Sequence, residues 1–100
     1  MAERLPEAEI RRALEGLKGW SYAEGCLQKK LNFASFSEAF AYMTRCAFEI
    51  EKLNHHPEWS NVYSRLEIRL RTHEAGGVTE LDLELARKMD ELLSAFRLRQ

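Results

Sequence analysis

Apolar Ile10, Leu14 and Leu17 recur at spacings of four and three between Pro6 and Leu17, with Gly19 just beyond. That spacing keeps one face of an α-helix apolar, and proline near the start with glycine past the end is its usual punctuation. The pattern predicts a short amphipathic helix. From Trp20 to Phe33 the period changes. WSYAEG ends in a Glu-Gly turn signal, and Leu27, Leu31 and Phe33 then alternate in part with polar Lys30 and Asn32. A β-hairpin is expected there.

Ser35 followed by Glu38 has capping-box spacing, in which each side chain accepts a hydrogen bond from the other residue's backbone amide. The helix that begins there carries Phe36, Phe40, Met43, Ala47 and Ile50 at intervals of three and four, a stripe expected to pack on the sheet. Tyr42 and Phe48 fall off that stripe and are expected to be partly exposed, to pack a neighbouring element, or to mark a subunit contact. Pro57 pushes His56 toward extended geometry, so the helix must stop near Leu53. From Val62 to His73, Leu66, Ile68, Leu70 and Thr72 share one face and Arg65, Glu67, Arg69 and Arg71 the other. A strand running on unbroken would turn His73 to the polar face. AGG at Ala75 to Gly77 supplies a turn, and Thr79 with Asp82 caps a last helix whose buried stripe is Leu85, Met89, Leu92 and Phe96. The element order is α-β-β-α-β-β-α. Helices covering one face of a four-stranded antiparallel sheet give an α+β fold, with the strand before Arg65 short.

A chain of 100 residues has room for one domain, residues 1–100, and none for a separate cofactor-binding domain. At this size only roughly 60–70% of the unfolded chain's surface is buried, so association with further copies, as a dimer or tetramer, would hide more. Fifteen Lys and Arg against sixteen Asp and Glu leave a net charge of −1, which gives no field for attracting nucleic acid or an anionic membrane. Cys26 and Cys46 form no CxxC pair and read as reduced thiols. The charged segment MAERLPEAEIRRALEGL is neither a secretory leader nor a membrane span, so the expected compartment is the cytoplasm.

All three histidines fall in two short stretches, Glu51-Lys-Leu-Asn-His55-His56-Pro57-Glu-Trp59 and Arg71-Thr72-His73-Glu74. Imidazole titrates at about 6.5, so near neutrality it both gives and takes protons cheaply. His55 and His56 sit at a helix-to-loop junction and His73 at a strand end, so folding could gather them at one cleft. The rival readings are surface or hydrogen-bonded core histidines, and a zinc site completed by Glu51 or Glu74. The zinc reading is disfavoured because adjacent histidines seldom reach one ion and no HxxxH spacing occurs. The arginine row, interrupted by Glu67, reads as a solvated strand face.

The series Glu51, His55-His56-Pro57, Tyr63, His73, Asp82, supported by Trp59, Asn61-Val62-Tyr63, Thr72-His73-Glu74 and the helix AFAYMTRCAFEIEKL, resembles the pterin-4a-carbinolamine dehydratases over nearly the whole chain. The resemblance implies the same α-β-β-α-β-β-α fold. It implies a lyase that dehydrates 4a-hydroxytetrahydropterin, released by aromatic amino-acid hydroxylases, to quinonoid dihydropterin and water, within tetrahydrobiopterin metabolism. No metal or organic cofactor is implied. One imidazole would take the N5 proton while another protonates the departing 4a-hydroxyl.

By the same analogy His55, His56 and His73 form the acid–base cluster, with acid and base left open. Pro57 and the turn Thr72, His73, Glu74, Ala75 would meet the pterin through backbone groups. Glu51 would orient His55, unless it is an exposed residue of the last helical turn, and Trp59 would wall the cleft or join the core. Asp82 reads as a helix cap. Asn54 stands where many relatives carry an acid, and Ala75 where some carry Cys. The alternative function is a protein-binding module, since animal relatives also look like stabilisers of a transcription-factor dimer.

Overall fold

In a computed structural model describing residues 2–99, Pro6 (φ −63°) leads into helix α1, Glu7–Leu14. The helix ends three residues before the expected Leu17. A tightened turn follows, with Gly16 bonded to Ala13 and Leu17 to Leu14, and it still delivers Leu17 into the core. Strands β1, Ser21–Ala23, and β2, Cys26–Asn32, form the expected hairpin. Both turn residues take positive φ, 55° at Glu24 and 75° at Gly25, the geometry that suits the right-handed twist of a two-residue hairpin and favours glycine.

Helix α2 spans Phe36–Leu53, followed by β3, Glu58–Val62, β4, Arg65–Leu70, and helix α3, Glu80–Leu93. The strands lie in the order β1-β2-β4-β3, every pair antiparallel. Leu27 pairs with Leu70, Leu31 with Leu66 and Trp59 with Ile68 on the face covered by the helices. Lys30 pairs with Glu67 and Gln28 with Arg69 on the open face. Leu66, Ile68, Leu70 and Thr72 are buried, as their alternation predicts. Lys29 breaks the alternation. It lies on the covered face opposite Ile68, and its ammonium is satisfied there by Asp90 Oδ1 and the Lys18 carbonyl, each at 3.0 Å.

Of the stripe expected on α2, Ile50 is buried and Met43 packs against the core, but Phe36, Phe40 and Ala47 do not, because the buried face is centred one residue earlier, about 100° of helix rotation away. The buried residues are Ala39, Tyr42, Cys46 and Ile50, whereas Phe36 and Phe40 are 53% and 54% exposed and Ala47 faces solvent. Tyr42 wins the core position because its hydroxyl finds a partner, donating to the Met89 carbonyl at 3.0 Å. Its ring packs on Phe33 and Phe96, centroids 5.2 and 5.5 Å away. Phe96 reaches this cluster from beyond the end of α3. Ser35 caps α2 by accepting the Glu38 amide, but the reciprocal half of the box is absent because Glu38 Oε1 accepts the Arg97 amide at 2.7 Å.

Candidate active site

Asn54 ends α2 in the left-handed region (φ 50°, ψ 43°), which asparagine tolerates better than most residues. The reversal ties His55 N–H to the Ile50 carbonyl and brings the imidazole to the first turn of α3. His55 is 9% exposed, and its Nε2 lies 2.5 Å from Asp82 Oδ1. Asp82 is fully buried. Its other oxygen, Oδ2, accepts the Thr79 amide at 2.8 Å and the Thr72 hydroxyl at 2.9 Å. Thr79 in turn accepts the Leu81 amide, so the capping box expected at the start of α3 is present.

That carboxylate does more than cap. It joins His55 to Thr72, the residue immediately before His73. Sequence reasoning assigned Asp82 to the cap and offered Glu51 as the orienter of His55. Instead Glu51 is exposed on the last turn of α2, and the carboxylate that holds His55 is 27 residues downstream.

β4 ends at Leu70, and Thr72 makes an antiparallel bridge to Gly77, with hydrogen bonds in both directions. The bridge pinches His73–Ala75 into a single 3-10 turn, so His73 is carried on a turn and not on the strand end expected for it. Its imidazole is exposed, with Nε2 3.3 Å from Glu58 Oε1. Glu58 opens β3 two residues after His56, so the segments bearing His56 and His73 lie side by side. The sequence reading missed Glu58, although HHPEW placed it next to the pair.

His56 is exposed, Pro57 and Ala75 are half-buried, and Glu74 is exposed. Trp59 is half-buried and packs on the core from the covered face of β3, in register with Ile68. Among the described residues no group of three His, Cys, Asp or Glu side chains is close enough to hold a metal ion. A hollow of about 470 Å³ adjoins the turn at Gly76 and Gly77, lined also by Arg4, Glu7 and Tyr22; none of the three imidazoles lines it.

The family profile described as pterin 4 alpha carbinolamine dehydratase matches residues 3–92. The chain belongs to that family. A Sinorhizobium medicae (strain WSM419) protein provisionally named pterin-4-alpha-carbinolamine dehydratase is 54% identical over 91 residues, 89% of this chain and 87% of that protein. A similarly named Opitutus terrae protein is 52% identical over 89 residues, 88% of this chain and 92% of its own length. Among solved structures, a transcriptional coactivator/pterin dehydratase from Brucella melitensis is 43% identical, with a TM-score of 0.87 over 90% of this chain and 98% of that one. A pterin dehydratase-like protein identified as a RuBisCO assembly factor in the alpha-carboxysome shares the fold, at 20% identity and a TM-score of 0.60, over 73% of this chain and 84% of that one. The dehydratase fold therefore also serves proteins with other roles. No helix among the described residues is long and apolar enough to cross a membrane.

Proposed function

We propose that this protein dehydrates 4a-hydroxytetrahydropterin to quinonoid dihydropterin, with His55, His56 and His73 as the acid–base and binding cluster. The carrying observation is the bridge through Asp82, which fastens the buried His55 to the stem of the turn bearing His73. Family membership supports the pterin as substrate.

The reaction is an elimination without redox change. The bond from C4a to the hydroxyl oxygen breaks, N5 loses its proton, and an N5–C4a double bond forms. One group must accept the N5 proton while another donates a proton to the departing hydroxide, and each such transfer is typically worth roughly 10²–10⁴-fold. Exposed imidazoles on His56 and His73 can reload from solvent, whereas His55 is buried and held by Asp82. Pro57, Thr72, Glu74 and Ala75 supply the backbone that borders the ring, and Trp59 stiffens the strand beside it. Glu51 is the residue this reading uses least, since Asp82 takes the orienting role offered for it. On this reading the protein would act alongside an aromatic amino-acid hydroxylase, in the cytoplasm. The test is loss of freshly generated 4a-hydroxytetrahydropterin, timed with and without the protein.

We further propose that it works as a homo-oligomer, a dimer or tetramer. Phe36, Phe40 and Phe48 are all more than half exposed on α2, and the rings of Phe36 and Phe40 pack together with centroids 5.6 Å apart; exposed aromatic rings of this kind mark surfaces that associate. A second copy is the occupant that suits a chain of this size, which still leaves much of its surface uncovered on folding. The same face favours the second reading, a protein-binding module without essential catalysis. Unchanged turnover in His56→Ala and His73→Ala would favour that reading.

A further inference from the structure

The hydrogen bonds around Asp82 can be given directions. Thr79 Oγ1 accepts the Leu81 amide and lies 2.7 Å from Thr72 Oγ1, and the Thr72 hydroxyl donates to Asp82 Oδ2. The Thr79 hydroxyl is therefore the donor to Thr72, and every proton in the chain points toward the carboxylate. An ionised carboxylate only accepts, and Asp82 sits in the first turn of α3, where the helix's positive end favours an anion. Among the described residues Oδ1 meets His55 Nε2 alone, so that nitrogen must donate. The other ring nitrogen, Nδ1, makes no hydrogen bond among the described residues.

We infer that Asp82 is a positioning residue that locks His55 in its Nε2–H form and thereby makes Nδ1 the nitrogen offered to substrate. The catalytic part rests on the function proposed above; the assignment of the proton does not. With Nε2–H fixed, neutral His55 presents a lone pair at Nδ1 and is set to accept a proton there. Asp82→Asn keeps the shape of the clamp. Its carbonyl oxygen would stay with Thr72 and Thr79, and its amide would then offer N–H to Nε2, forcing the ring proton onto Nδ1. The basic atom would face the wrong way.

The experiment is long-range ¹H–¹⁵N correlation of the His55 ring in the folded chain at about pH 8, above the ordinary imidazole value of about 6.5. Expected are an Nε2–H ring in the wild type and an Nδ1–H ring in Asp82→Asn. With 4a-hydroxytetrahydropterin, kcat of Asp82→Asn should fall by about 10²-fold or more while KM moves less than about threefold. A wild-type Nδ1–H ring, or a ring unaltered by Asp82→Asn, would overturn the inference. Thr72→Val, which removes one donor from Oδ2 and leaves Oδ1 with His55, should keep Nε2–H; a flipped ring there would also overturn it. These two spectra decide the matter even if Asp82→Asn does not fold. If the wild type shows no dehydration, the proposed function fails, while the ring shifts still decide the proton's place.

Discussion

Thr72 and Asp82, ten residues apart in sequence, are joined by a buried hydrogen bond of 2.9 Å that fastens the end of β4 to the first turn of α3. Because the same carboxylate also holds His55, the packing of α3 on the sheet and the placement of two histidine-bearing segments are one structural event. Removing the carboxylate should therefore damage the fold as well as the chemistry. Asp82→Ala strips the cap from α3 and leaves His55 and Thr72 without their buried partner. Its expected cost is about 3–5 kcal/mol of stability, read as a fall in the urea midpoint.

The histidines should separate in the same assay. His55→Ala leaves Asp82 Oδ1 buried and unpartnered, at a cost of about 1–3 kcal/mol. His56→Ala and His73→Ala remove exposed rings and should stay within about 0.5 kcal/mol of the wild type. Equal losses at all three positions would contradict the burial seen here.

Alkaline pH should weaken the fold through Cys46. Burial pushes its thiol up from 9.0 to about 11, so the folded state keeps the proton that the unfolded state releases. The contribution is complete below pH 9 and disappears as pH rises from 9 toward 11. Burial likewise raises the Tyr42 hydroxyl above its ordinary 10.0, extending the decline upward. Urea unfolding at about pH 8 and about pH 10.5 should show a smaller drop for Cys46→Ala than for the wild type.

Light scattering should find more than one copy per particle. Phe40→Ser and Phe48→Ser should lower that mass while leaving the far-ultraviolet circular dichroism of the fold unaltered, because neither ring belongs to the core. A monomeric wild type would remove the homo-oligomer proposal.

The period-2 face of Leu66, Ile68 and Leu70, the Glu24-Gly25 hairpin turn and the Thr79–Asp82 box were all legible in the sequence, because each is set by residues near one another in the chain. Helix α2 was not. It is apolar on two sides, and the stripe richer in phenylalanine looked like the core until Tyr42 proved to have a partner for its hydroxyl on Met89. The partner of His55 was hidden for a similar reason. Spacing alone explained Asp82 through Thr79, and nothing local shows that its second oxygen meets a residue 27 positions upstream. The family resemblance carried Asp82 in its pattern without saying what it held. Glu58 escaped because the pairing with His73 requires β3 and the 3-10 turn to be placed side by side.

The central claim is that this chain's histidines dehydrate a pterin, and stopped-flow decay of freshly generated 4a-hydroxytetrahydropterin tests it most directly. The wild type should speed that decay, and His56→Ala and His73→Ala, both folded, should each lose about 10²-fold or more of the acceleration. Decay at the same rate with wild type, with either variant and with no protein at all would contradict the claim.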